Sequence, residues 1–195
     1  MSNMLIIGPP GSGKCKLLES VIGSFDNVIW VTTLSSAEFV RRRVHHNNLW
    51  VIDTFTWKER ESLTEKDIVV KNPLNLNEIS LSITKVIEGL EGTYFLVVNS
   101  ISGLLVYHNY QRLIHFLRSL LVKIEDDKAS GAFTLIKDAH ERNIEISISM
   151  FFPNIVMMER NNLHFVKTVI NVDNYTLDFR SEKARELITE ILRSE

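Results

Sequence analysis

Met4-Leu5-Ile6-Ile7-Gly8-Pro9-Pro10-Gly11-Ser12-Gly13-Lys14-Cys15 is the stretch on which the reading of the whole chain turns. Four apolar residues run together and stop at a glycine, the pattern of a strand buried on both faces of a parallel sheet. A glycine-rich turn follows. Leu17, Leu18, Val21 and Ile22 then recur at helical spacing, predicting a helix from Lys14 to Ser24 that Gly23 and Asp26-Asn27 bring to an end.

Residues 8–15 fit G-x-x-x-x-G-K-[ST] at every position but the last, in the strand–turn–helix setting that the motif requires. The residue types follow from the chemistry of holding phosphate. Glycines let the loop wrap closely, so that successive backbone N–H groups point inward. The helix N-terminus adds partial positive charge, and Lys14 adds a full one. Gly8, Pro9, Pro10, Gly11, Ser12, Gly13, Lys14 and Cys15 are therefore the expected nucleotide-binding residues, with ATP as the expected ligand. Position 15 departs from the motif. A Ser or Thr hydroxyl there ligates Mg²⁺, a hard cation that takes oxygen ligands in near-octahedral geometry. The soft sulfur of Cys15 is a poor replacement.

Working outward, Val28–Thr32 and Leu49–Thr54 are further buried-type strands, with a helix from Ser36 to His46 between them. Residues 56–75 are polar and irregular, and are expected to form a loop or excursion. Ile79, Ile83, Val86, Ile87 and Leu90 share one face of a predicted helix from Leu76 to Leu90. Tyr94–Val98 is the most apolar strand. A helix over Tyr110–Asp126, a strand over Gly131–Ile136 and a helix from about Asp138 to Met150 follow. Strand candidates near 154–159, 163–172 and 175–180 precede a closing helix over Glu182–Arg193. Alternation of strand and helix as far as residue 150 predicts a three-layer α/β fold with a mostly parallel sheet. The stretch from 154 to 180 is expected to add antiparallel strands at the sheet edge. No domain boundary is visible in the 195 residues, so one domain is expected.

Composition removes several classes of function. A net charge of −2 supplies no field that would draw nucleic acid to the whole molecule. Arg41-Arg42-Arg43 is the densest basic run and reads as a solvated helix face. The single cysteine, Cys15, excludes an intrachain disulfide, which suits a reducing cytoplasm. Met4–Ile7 is too short for a signal peptide, and no apolar window is long enough to span a membrane.

Three stretches together resemble the KaiC-like branch of the RecA superfamily of ATPases, over about residues 4–170. The first is the phosphate loop. The second, Val28-Ile29-Trp30-Val31-Thr32-Thr33-Leu34-Ser35-Ser36-Ala37-Glu38, is similar to the strand and helix start that follow that family's P-loop helix. The third, Tyr94-Phe95-Leu96-Val97-Val98-Asn99-Ser100-Ile101-Ser102-Gly103-Leu104-Leu105, is similar to its Walker B strand. The resemblance implies a RecA-like fold, ATP with Mg²⁺, and rings or filaments with nucleotide between subunits. It also makes three departures visible. Cys15 is the first. Asn99 stands where the family has an Asp that orients Mg²⁺. At about 5 Å and an effective dielectric of about 20, the lost charge is worth roughly 3 kcal/mol. Thr33-Leu34-Ser35-Ser36 fills the place of a catalytic Glu, whose loss removes a hundred- to ten-thousand-fold general-base contribution, in order of magnitude. Cys15 and Asn99 are thus degenerate metal positions, with Mg²⁺ held weakly or not at all.

No catalytic residue stands out. Asp53 and Asp138, at the C-terminal ends of strands, are candidates to lend a carboxylate, with helix capping or surface charge as the alternative. The histidines at 45, 46, 108, 115, 140 and 164 lack metal-site spacing, with only His140-Glu141 loosely grouped. Trp30 and Trp50 read as core. The expectation is an ATP-binding, hydrolysis-impaired protein acting as a regulatory or scaffolding subunit of a homo-oligomer or larger assembly. Its rivals are an active ATPase using non-standard carboxylates, a recombinase-paralogue DNA-repair accessory, a small-metabolite kinase, and an interaction module with an empty loop.

Overall fold

Alternate residues of the first strand, β1 (Asn3–Gly8), enter different apolar layers: Met4 and Ile6 pack on one face of the sheet, Leu5 and Ile7 on the other. This two-sided burial recurs along the central strands and sets the architecture. The computed structural model describes residues 2–57, 64–172 and 176–194. After β1 come α1 (Lys14–Val21), β2 (Asn27–Thr32), α2 (Ala37–Arg43), β3 (Leu49–Asp53) and β4 (Asp67–Val69). They are followed by α3 (Leu76–Glu88), β5 (Tyr94–Asn99), α4 (Ile101–Leu105), α5 (Tyr110–Asp126), β6 (Ser130–Ile136) and α6 (Arg142–Ser149). The chain then runs through β7 (Asn154–Glu159), β8 (Asn162–Lys167), β9 (Thr176–Asp178) and α7 (Glu182–Arg193).

The strands form one sheet in the order β4-β3-β2-β5-β6-β1-β7-β8-β9. Helices α1, α2 and α7 cover one face through Leu17, Leu18, Val21, Val40, Ile188 and Ile191. Helices α3 to α6 cover the other, through residues such as Ile79, Ile83, Ile101, Leu117 and Ile148. This is the expected three-layer α/β fold with a mostly parallel sheet and antiparallel strands at one edge.

Two local expectations are corrected. Residues 154–159 are not wholly antiparallel: β7 pairs antiparallel with β8 on one side but parallel with β1 on the other, Ile6 opposite Val156, because α6 carries the chain back across the sheet first. Among the described residues the antiparallel pairings are β7 with β8 and β8 with β9. The irregular stretch 56–75 contains β4, which pairs parallel with β3 and is fixed by Asp67. Residues 58–63 of that stretch, and residue 175 of the last strand candidate, lie outside the described residues. After β5 comes the short helix α4, with Ser100 as its N-cap. Among the described residues no helix is long and apolar enough to cross a membrane.

Candidate functional site

The loop between β1 and α1 is built around one buried cation. The Lys14 ammonium donates to the carbonyls of Gly8 at 2.6 Å and Pro9 at 2.8 Å, and to the Ser12 hydroxyl at 3.3 Å. Lys14 is only 8% exposed. Burial pushes its pKa below the ordinary lysine value, against a smaller opposing pull from Cys15. Gly11 and Gly13 have φ of 75° and 98°, in the left-handed region that the tight wrap demands and that a side chain resists. Gly13 is also the cap of α1, whose first turn presents free N–H groups at the loop.

Around this loop lies a cleft of about 420 Å³, lined by residues 10–16 together with Leu34, Ser35, Phe39, Arg43, Asn99, Ser100 and Ile136. The strand order explains how sequence-distant residues meet there. β1 and β5 are separated by β6, so Cys15 and Asn99 face each other across one intervening strand. The Asn99 amide donates to the Cys15 sulfur at 3.2 Å, and its oxygen accepts from the hydroxyl of Thr134 on β6 at 2.9 Å. The two degenerate metal positions are therefore bonded to one another. Mg²⁺, which the fold family implies, is not matched by this donor set. A neutral amide committed at both ends and a thiol replace a carboxylate and a hydroxyl.

Where a catalytic carboxylate would follow β2, the chain is committed to holding the fold. The buried Thr33 hydroxyl donates to the Ser100 carbonyl at 2.7 Å and accepts from the Ser100 N–H at 2.7 Å. This clamp ties the end of β2 to the start of α4. It leaves no room beside Gly103, where a Cβ would lie 2.2 Å from the Thr33 hydroxyl oxygen. Leu34 then turns its apolar side chain, 49% exposed, to the cleft.

The candidate carboxylates are elsewhere. Asp53 is 1% exposed. It accepts from the N–H groups of Ala37, Phe55 and Thr56 at 2.7, 2.8 and 2.8 Å and from the Thr56 hydroxyl at 2.5 Å. It caps the start of α2 and shapes the turn after β3, and does not line the cleft. Asp138 is exposed, with φ of 59°, in the turn after β6, and also lies outside the lining. Among the described residues the cleft lining contains no Asp or Glu, and no group of three or more His, Cys, Asp and Glu could hold a metal.

Sequence reasoning missed the roles of four residues around the site. Thr134 and Thr33 carry no motif, being ordinary strand residues in sequence. His140, read as structural or surface, accepts or donates through its Nε2 at 2.9 Å from the Ser102 hydroxyl, which also receives the N–H of Ile136. Phe179 sits against Gly13 from the far end of the chain. The basic run is accounted for pairwise. Arg41 pairs with Asp67 at 2.8 Å, Arg42 with Glu38, and Arg43 with Glu19 at 3.0 Å while lying over the Phe39 ring.

A family model described as "Family of unknown function (DUF7504)" matches residues 2–152. No curated protein matches the chain. Among solved structures, the KaiC-like protein PH0186 from the hyperthermophilic archaeon Pyrococcus horikoshii OT3 is similar with a TM-score of 0.61 at 13% identity, over 85% of this chain and 78% of that one. The uncharacterised protein PH0321 from Pyrococcus horikoshii, solved in complex with an unknown peptide, is similar with a TM-score of 0.64 at 14% identity over 90% of each chain. A prototypical ATPase from the type III secretion system of pathogenic bacteria gives 0.54 at 12% identity, over 82% of this chain and 51% of that one. At these identities the likeness establishes a RecA-like fold.

Proposed function

The chain belongs to DUF7504, a family of unknown function, and from that footing we propose that it binds a nucleoside triphosphate, ATP in the first instance, and hydrolyses it poorly if at all. The observation that carries the reading is the desolvated Lys14 ammonium, turned back onto the carbonyls of its own loop at a helix N-terminus. A phosphate group offers that cation a stronger, charged acceptor than two carbonyls do. The N–H groups of the loop and of the first turn of α1 supply the remaining donors.

Impaired turnover is supported by what faces the bound phosphates. Hydrolysis needs a group that orients the attacking water and charge that spreads over the transferring phosphoryl. The described lining offers Leu34 and Ser35 at the first position and an uncharged amide at Asn99 for the second. A RecA-like protein of this kind acts through the bound nucleotide as a regulatory or scaffolding subunit, in a homo-oligomer or larger assembly inside the cell. The DNA-accessory reading loses its one support, because each arginine of the run 41–43 already has an acidic partner.

Calorimetry of ATP binding to the wild-type chain and Lys14→Ala tests the proposal. A charge-assisted phosphate contact is worth roughly 1.5–3 kcal/mol, so the substitution should weaken binding at least tenfold. Equal affinities would place the nucleotide somewhere other than this loop.

A further inference from the structure

Charge in the cleft is one-sided. Its lining carries Lys14, Lys16 and Arg43 and, among the described residues, no carboxylate. Arg43 is shared with Glu19, which itself lies outside the lining, while Lys14 donates to the oxygens of Gly8, Pro9 and Ser12. A nucleoside triphosphate presents about four negative charges when free and about two when complexed with Mg²⁺. In sites that use the metal, carboxylate and hydroxyl oxygens bind the cation and the cation binds the phosphates. Here the corresponding groups, Asn99 and Cys15, are hydrogen-bonded to one another, and Thr134 holds the other end of the amide. Turning the amide end for end keeps the same two partners engaged, so neither orientation frees the side chain for a metal or its water shell.

We infer that the site takes its nucleotide as the uncomplexed polyphosphate, with Lys14, Lys16, Arg43 and the N-terminus of α1 in the place that a divalent cation has elsewhere. The inference rests on the nucleotide-binding reading and names the form of the ligand. The Cys15–Asn99 pair forms a floor that contains no carboxylate. An added metal would bring two positive charges beside three existing ones, with no acidic side chain in the described lining to receive them. Mg²⁺ is therefore a competitor for the ligand in solution rather than a component of the site.

The test is a titration of the full chain with ATP, once with excess EDTA and once with Mg²⁺ in excess over nucleotide. Affinity in EDTA should equal or exceed affinity in Mg²⁺. Asn99→Asp, checked for folding by thermal melting, should reverse the order. A carboxylate beside the phosphates should weaken metal-free binding roughly tenfold or more, and Mg²⁺ should restore it. If that variant does not fold, titration of the wild-type chain with ATP at stepwise increasing Mg²⁺ serves in its place: affinity should stay level or fall as the metal-free nucleotide is depleted. Wild-type binding that requires Mg²⁺ overturns this inference and leaves the nucleotide reading standing. No ATP binding in either buffer overturns both.

Discussion

The ring of Phe179 packs against the backbone of Gly13 so closely that a Cβ at position 13 would lie 2.9 Å from the ring's Cζ. Phe179 is 7% exposed, and the Arg180 guanidinium lies over its ring, 5.3 Å from the centroid. The turn between β9 and α7 thus backs the phosphate loop from behind. Gly13→Ala meets two penalties, the ring contact and a φ of 98°. In a double-mutant cycle, Gly13→Ala should cost at least about 1 kcal/mol less in a Phe179→Ala background than in the wild type, because only the backbone penalty of roughly 1–2 kcal/mol then remains. Urea unfolding of the four chains reads this directly, and simple additivity would mean the two residues do not share the contact.

Lys14 carries a pH signature. Its folded pKa lies below 10.5, its unfolded value, because burial disfavours the charged form. Between those two values the unfolded chain holds the proton and the folded chain does not. Stability therefore rises with pH across that alkaline window, in contrast to a lysine that gains a partner. Bound phosphate restores the charge. ATP binding in the window should take up a proton, seen in calorimetry as a heat that changes with the ionisation enthalpy of the buffer. Lys14→Met should abolish that dependence, and a buffer-independent wild-type heat would show that the lysine stays charged throughout.

Turnover should lie far below the ordinary enzymatic range of about 1–1000 per second. Cys15→Thr with Asn99→Asp should make ATP binding dependent on Mg²⁺ while raising turnover little, since Leu34 and Ser35 still occupy the place of a water-orienting carboxylate. Measuring phosphate release from wild type and double variant separates the two requirements. A wild-type rate above about one per second would show that a catalytic group has been overlooked.

Asp53 should matter for stability and not for ligand affinity. Asp53→Ala leaves the N–H groups of Ala37, Phe55 and Thr56 without their acceptor. Loss of a helix cap costs about 0.5–2 kcal/mol, and stranded buried donors about 1–3 kcal/mol each. A destabilisation of about 2–4 kcal/mol is expected in chemical denaturation, with nucleotide affinity at low temperature within about threefold of wild type. Unchanged stability with lost affinity would return Asp53 to the site.

What the sequence made legible is what repeats locally. Tyr110–Asp126 and Glu182–Arg193 could be read to their ends because each carries a regular apolar stripe and a capping side chain, Asn109 and Ser181. The phosphate loop was legible because its chemistry fixes residue types at fixed spacing. The parallel pairing of β7 with β1 was not foreseen because an apolar strand looks the same whichever way its neighbour runs; it is set by the crossover through α6. β4 has only three residues, too few for alternation to register, and is held by Asp67 and its bonds to Arg41 and Thr64. The site residues that escaped, Thr33, Thr134 and Phe179, act through tertiary contact. Thr33 and Ser100 are 67 positions apart, and nothing near either foretells the other.

The place of β1 in the sheet bears on how the protein comes into being. It precedes every other strand described, yet its neighbours in the sheet are β6, which begins at Ser130, and β7, which begins at Asn154. A nascent chain can close β2 on β3 and β5 while the strand behind the phosphate loop still has nothing to pair with. Such long-separation pairings are slow, and they leave an apolar strand waiting in the open. The loop that follows β1 therefore gains its supporting neighbours only after β2, β3 and β5 are available to pair. A nucleotide bound there, as proposed, would not hasten the early steps; it would act as a latch on the finished molecule, drawing the last docking event to completion by mass action.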